Sequence, residues 1–558
     1  MQMKKVLVLI SVLTAAAFVS ACGKAPAGET ASAAESGTAA AAETSAAAAP
    51  AAQPAEDGLL RAAILYDMSS MDVAKTTDNY MVPLNVFDRL FETRMRDGTA
   101  QVEGSLCTDF TVSEDGLRYE FTLRDGVVFS NGSALTASDV KYSFERLLIA
   151  ANENTDIPLE VAGGDELMNG KAKELTGFEV LDDTHFAVTL KAPNAGFTAE
   201  LSSPAMSIVD AETMESVKNF GSEPADTIGS GPYVVTEWIA NDHYTLEYND
   251  KYWGAEPTVK KVDVRVIPDP GTQNLMFRNG ELDMIDLQSL DSSIVESTYK
   301  TEYPDRIVSA PRVGVTYFAL NADNEYLKDL NVRKAIAMAI DADEIITGIY
   351  NNNAIPESGI IPTGIWGHND ALERTAYDPE GAKKLLEESG YKDGEIHFEM
   401  AVDSAADSNI KLTCQAVSQM LEAVGIRAEI KNYDHSACLD LRLSGKMDSF
   451  IARWGMDYND PANIMYTFFG SPEKTAQRSL NYKDKDVMAR VAAASSITDD
   501  QEREAEYQAL EQKIIGEDAA WVPLFEELHL YCLGDRVSGF TPHWAGFSDF
   551  YAADVVLK

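Results

Sequence analysis

The stretch Asp115-Gly-Leu-Arg-Tyr-Glu-Phe-Thr-Leu-Arg-Asp-Gly-Val-Val-Phe-Ser-Asn-Gly-Ser-Ala-Leu-Thr-Ala-Ser-Asp-Val140 decides the architecture. Tyr119, Phe121 and Leu123 alternate with Glu120, Thr122 and Arg124, the period of a half-buried strand. Asp125-Gly126 turns the chain, Val127 to Phe129 read as a second short strand, and Asn131-Gly132 turns it again. Thr136 is placed to cap a helix, with Asp139 in its first turn. Val140, Phe144, Leu147 and Leu148 then recur on one helical face.

The same mixture continues outward. Phe186/Val188/Leu190, Val262/Val264/Val266 and Ile426/Ala428/Ile430 alternate as strands. Val332, Ile336, Ala339 and Ile340 form the apolar stripe of a helix. Asp378-Pro379 reads as N-cap and first helical residue, with Leu385 and Leu386 on the core face and Gly390 as the left-handed stop. Asp448 to Ile451 form a short strand, and a helix runs from Ala462 to Phe469 after Pro461. The expected class is an α/β layered body.

The N-terminus is a targeting segment. Lys4 and Lys5 precede an apolar run from Val6 to Val19, shorter than the roughly 20 residues that span a bilayer. Val19-Ser-Ala-Cys22 follows and looks like the lipobox of bacterial lipoproteins, which predicts a signal peptide at 1–21 and a lipid-anchored Cys22. From Lys24 to Asp57 there is no aromatic residue and no Val, Leu, Ile or Met, and 16 of the 34 positions are Ala. Such a segment buries too little apolar area to offset its ordering entropy, so residues 22–57 read as a disordered tether.

The net charge of −43 argues against nucleic-acid binding and against adhesion to anionic lipid. Cys107, Cys414, Cys438 and Cys532 have no CxxC spacing, so no zinc site is expected; Cys414 and Cys438 are left open as a pair. The seven histidines are isolated in sequence, and neither Gly-x-Ser-x-Gly nor His-Glu-x-x-His occurs. Gly229-Ser-Gly-Pro-Tyr-Val234 lacks the third glycine of a dinucleotide loop and opens into a strand. No enzyme activity and no cofactor are expected.

Residues 115–140 closely resemble the signature of family 5 bacterial extracellular solute-binding proteins, receptors for oligopeptides, dipeptides, nickel chelates and a few other solutes. Gly229-Ser-Gly-Pro-Tyr233 with Glu237-Trp238, Leu246 and Tyr252-Trp253-Gly254 is similar to the family's central segment. Met276-Phe-Arg-Asn-Gly-Glu-Leu-Asp283, Asn331 to Asp341 and the Asp378-Pro379 helix resemble later family phrases. The resemblance implies a two-lobed periplasmic-binding-protein-like fold of type II, in its large form with an inserted domain. It places lobe I at 58–91, 226–314 and 526–558, the inserted domain at 92–225 and lobe II at 315–525.

Arg453-Trp-Gly-Met-Asp-Tyr-Asn-Asp-Pro461 is where capture is expected. A peptide's α-amino group needs a fixed anion in a dry cleft, and an aspartate at a strand end loses few rotamers on pairing. Backbone groups of the same segment can pair with a ligand main chain, and Trp454 offers a flat apolar wall. Trp454 to Pro461 is similar to the family's Trp-x-x-Asp-Tyr-Asn-Glu-Pro, which implies that Asp457 binds the amine and that Arg453, Gly455, Met456 and Tyr458 surround it. Asp460 is the competing carboxylate, read as a turn or cap before Pro461. The resemblance also makes Tyr80 and Met81 contacts from the first lobe, with apolar packing as the equal alternative. Ala319 and Ile451 stand where oligopeptide receptors carry an acid and an arginine, so the carboxyl-end clamp does not carry over.

The resulting expectation is a monomeric receptor that takes a short peptide to the permease of an ABC importer, tied to the membrane only through its lipid. A non-peptide solute such as a metal chelate or oligosaccharide is the alternative, and a secreted hydrolase using paired carboxylates the remote one.

Overall fold

The computed structural model describes residues 58–76, 79–96, 98–149 and 154–558, without the side chain of Glu215. The signal, Cys22 and the tether lie outside the described residues.

β1 (Leu59–Ile64) is the edge of a four-stranded sheet, parallel to Lys261–Val266, which pairs antiparallel with His243–Tyr248 and onward to Tyr233–Ile239. Gly229 and Gly231 let the chain entering this sheet run against Val86: a Cβ at Gly229 would stand 2.0 Å from the Val86 carbonyl oxygen. Asp283, almost fully buried, accepts from the Arg61 backbone at 2.8 Å and its guanidinium at 2.7 Å, and from Arg536 at 3.2 Å. That explains the acid closing the 276–283 motif.

The larger, eight-stranded sheet is mixed. β2 (Gly314–Leu320) lies at its centre, antiparallel both to β3 (Ser449–Gly455) and to the long β4 (Trp521–Leu533). Every residue of β2 is buried, as a central strand covered on both faces requires. Val315, Tyr317 and Ala319 enter one core, while Phe318 and Leu320 enter the core on the opposite face. β4 changes partners along its length. Trp521 to Phe525 pair with β2, and Leu528 to Cys532 pair with Ile307–Pro311. Between these two stretches, Phe525 to Glu527 pair with Ala354–Pro356.

A further core is built mostly from residues Leu90 to Ile208. Strand Arg118–Leu123 buries Tyr119, Phe121 and Leu123, and Phe121, Phe186 and Phe178 stack in sequence at 5.1 and 5.0 Å. Each such ring contributes on the order of 2–3 kcal/mol by leaving water. Helix Ala137–Ile149 buries Val140, Phe144, Leu147 and Leu148. Its cap works in reverse of the simplest form: the Asp139 carboxylate accepts from both the backbone and the hydroxyl of Thr136, each at 2.8 Å.

One local expectation is corrected, and the open question of one cysteine pair is answered. Val127 to Phe129 do not form a strand; Val128 makes a single bridge to Ala134, because Phe129 donates to Ser133 and Leu135 donates to Val127 across so tight a loop that no ladder fits. Cys414 and Cys438 are free thiols. Cys414 belongs to one core cluster and Cys438 packs against another, and both border a cavity of about 110 Å³ without bonding. Helix Ala462–Phe469, the Asp378 cap and the left-handed Gly390 stand where the residue pattern puts them.

Candidate ligand cleft

A cavity of about 650 Å³ opens where the four-stranded sheet faces the end of β3. Ala62 to Asp67, continuing β1, line one side with Met81, Gln273, Met284 and Asp286. Arg312 and the whole run Arg453 to Asp457 line the other, and Ala545 to Phe550 complete the wall. The volume suits a small ligand. A hollow of about 40 Å³ beside Asp341, Asp343 and Arg374 holds no more than a water or two.

Four carboxylates reach this cleft: Asp67, Asp286, Asp457 and Asp549. Three are spoken for. Asp67 accepts from the Asn241 backbone at 2.7 Å, from Met68 at 2.9 Å and from the Trp238 indole at 3.2 Å. Asp286 lies 3.1 Å from His529 Nε2 and accepts from the Ser548 hydroxyl at 2.9 Å. Asp549 accepts from the Tyr80 backbone at 2.9 Å.

Asp457 differs. It follows the last residue of β3 by two positions, and among the described residues it forms no ion pair with Lys, Arg or His. One hydrogen bond holds it: Asn463 Nδ2 donates to its Oδ2 at 3.1 Å. Asn463 Oδ1 in turn accepts from the Trp454 indole at 3.0 Å, which fixes the orientation of the amide. The carboxylate reaches solvent through the cleft, yet the surrounding protein strips enough water from it to raise its pKa above the ordinary aspartate value. Asn463 and the Arg478 charge oppose that rise without cancelling it.

Trp454 is half-buried. Phe468 meets it edge to face at 5.2 Å, and the Arg478 guanidinium lies 4.6 Å from its ring centre. Arg453 donates to the Arg312 carbonyl at 2.6 Å; burial and the neighbouring Arg312 charge push its pKa down to about 10, so it stays cationic at neutral pH. Gly455 pairs with Gly314, and a Cβ on Gly314 would stand 2.2 Å from the Trp454 carbonyl oxygen. Met456 lines the cleft but is nearly fully buried, its N–H donating to Val313 at 3.2 Å.

Other residues of the expected set point elsewhere. Tyr458 is not in the cleft wall; it is a neighbour of Glu200 instead. Tyr80 packs its ring against Phe547 at 5.0 Å, while Met81 touches the cleft from within the core. Asp460 is buried and bound to Arg503 at 2.5 Å, and its other oxygen caps the following helix at Ala462. Sequence reasoning missed Asn463, Arg478, Asp286 and the whole 545–550 wall. No local signal marks them: Asp286 and 545–550 reach the cleft, and Asn463 and Arg478 reach its wall residues Asp457 and Trp454, only through tertiary packing. Among the described residues, no three His, Cys, Asp or Glu side chains are grouped to hold a metal, and no helix is long and apolar enough to cross a membrane.

The chain matches bacterial extracellular solute-binding proteins, family 5 Middle, over residues 101–476. It belongs to that family. The solute-binding protein is 28% identical over 485 residues to a probable D,D-dipeptide-binding periplasmic protein of Escherichia coli, covering 85% of this chain and 89% of that one. It is 26% identical over 486 residues to heme-binding protein A of Haemophilus influenzae, covering 84% and 87%. In three dimensions it matches the unliganded open form of the periplasmic murein tripeptide binding protein MppA, with a TM-score of 0.78, 22% identity, and 90% and 98% of the two chains covered. The fold is thus the two-lobed α/β type of periplasmic binding proteins. Like its relatives, this solute-binding protein is an extracytoplasmic binding protein and not an enzyme.

Proposed function

We propose that this protein is the capturing receptor of an ABC importer and that its solute is a short peptide with a free α-amino group. The observation that carries this reading is Asp457: a carboxylate in a partly dehydrated cleft, oriented by Asn463 and unpaired with any cation among the described residues. An incoming ammonium supplies the missing charge, and in that setting a charge-assisted pair is short and strong. Trp454 borders the same space with an apolar face, and the D,D-dipeptide-binding relative agrees with a peptide ligand.

Lobe I comprises 58–91, 226–314 and 526–558, lobe II comprises 315–525, and 92–225 is inserted. The passage of β4 from one partner to the other between Phe525 and Leu528 supports a hinge there. Closure follows if solute binds the closed form better than the open one. The closed form is what the permease reads. Cys22 carries the lipid, residues 22–57 tether the monomeric receptor, and no cofactor takes part.

Calorimetric titration with Ala-Ala-Ala and its N-acetyl form tests the reading. Binding of the free tripeptide with loss of the acetylated one is expected, and equal affinities would overturn the amine anchor. A non-peptide solute is the second reading, favoured by the heme-binding relative, whose identity and coverage nearly equal those of the dipeptide-binding one.

A further inference from the structure

Tyr66 is 78% exposed, and it lies in the wall of the cleft. Single exposed aromatics are common on open surfaces and need no function. This one sits in a concavity and on a fastened support. β1 ends two residues earlier, where the Ile64 carbonyl accepts from Ile267 at 2.8 Å. The next residue, Asp67, is held by three donors. The backbone on both sides of Tyr66 is therefore fixed while its ring is left in water.

The other aromatic rings of the cleft are already engaged. Trp454 rests on Phe468, Tyr531 stacks on His529 at 4.5 Å, and Phe547 stacks on His543 at 4.7 Å. Tyr66 alone among these has no ring partner and no side-chain hydrogen bond among the described residues. A tyrosine that forgoes burial on a rigid base has its apolar area available to a ligand, and the ring loses little entropy on contact.

We infer that Tyr66 is a specificity-determining residue: its ring is the wall, on the side of the four-stranded sheet, against which an apolar side chain of the bound solute packs. This rests on the cleft being the solute site. It assigns the solute class more narrowly, as one that carries an aliphatic or aromatic group beside the amine held by Asp457. Polar or glycine-rich solutes gain nothing from this wall.

The test is calorimetric titration of wild type, Tyr66→Ala and Tyr66→Phe with Ala-Phe-Ala and Ala-Gly-Ala. The preference for Ala-Phe-Ala should fall about 10-fold in Tyr66→Ala and stay within about twofold of wild type in Tyr66→Phe. An unchanged preference in Tyr66→Ala, or an equal loss in Tyr66→Phe, overturns the assignment. If wild type binds neither peptide, the peptide reading has failed on its own. Native mass spectrometry of the solute retained through purification then decides the tyrosine: lower occupancy in Tyr66→Ala supports it, and equal occupancy overturns it. A wild type that binds neither peptide and retains no solute overturns both.

Discussion

The Asn463 side-chain amide donates to the Asp457 carboxylate at 3.1 Å, the one hydrogen bond of that carboxylate among the described residues. Asn463 is buried at the start of a helix, so it holds the aspartate without covering it. The carboxylate is aimed but not neutralised.

Asp457→Ala should weaken binding of a free-amine peptide by about 2–5 kcal/mol, the range for removing one partner of an enclosed charge pair. Isothermal titration against wild type measures it. The unliganded protein should respond in the opposite sense. A carboxylate whose pKa is raised in the fold costs stability at neutral pH, so Asp457→Asn should leave the melting temperature unchanged or higher.

Peptide affinity should fall as the solution is acidified. The ammonium pairs only with ionised Asp457, and the folded unliganded protein holds its proton to a higher pH than an ordinary aspartate, whose pKa is about 3.9. The decline therefore starts above the usual aspartate range, and binding should release a proton in buffers within that window. Titrations in buffers of different ionisation enthalpy detect the proton, and Asp457→Asn should abolish both effects.

Asn463→Leu should reduce peptide affinity by about 1–2 kcal/mol while leaving the anion in place. It frees Asp457 to rotate and leaves the Trp454 indole N–H without its acceptor. Titration separates this from an Asp457 variant, because the N-acetyl peptide should still bind more weakly than the free one.

Asp460→Ala should destabilise the fold rather than the site. It would leave the nearly fully buried Arg503 guanidinium, bound to Asp460 at 2.5 Å, with the exposed and more distant Asp500 at 3.8 Å, at a cost of about 3–5 kcal/mol. Urea denaturation measures the loss. Tyr507 and Trp366 lie against the pair, which borders a cavity of about 510 Å³.

Gly314→Ala should cost about 1–3 kcal/mol through overpacking, since its Cβ would press on the Trp454 carbonyl oxygen. Spreading β2 from β3 at that point also displaces the strand end that carries the site, so peptide affinity should fall together with the melting temperature.

Residue order alone was enough for the elements whose causes are local. The alternation of Tyr119, Phe121 and Leu123, the stripe of Val332 and Ile336, the Asp378 cap with Gly390 and the helix after Pro461 all depend on neighbours within about four positions. The family phrases are made of these same local units, and so the fold and the membership in a receptor family were legible without coordinates. The site was legible only in its short central segment. Val127 to Phe129 misled because apolar character says nothing about whether a partner strand is in reach.

What the sequence by itself determined is the architecture, the kind of protein and the candidate anion Asp457. Tertiary structure alone decided which acids in the cleft are free. Asp67 is satisfied by Trp238 and Asn241, and Asp549 binds Tyr80 across 469 positions of chain. It also decided that Tyr80 turns to Phe547 while Tyr66 is left open, and that Cys414 and Cys438 stay free thiols. The physical reason is that a pairwise contact depends on distance in space, and strands crossing at β4 bring together residues that share no sequence period.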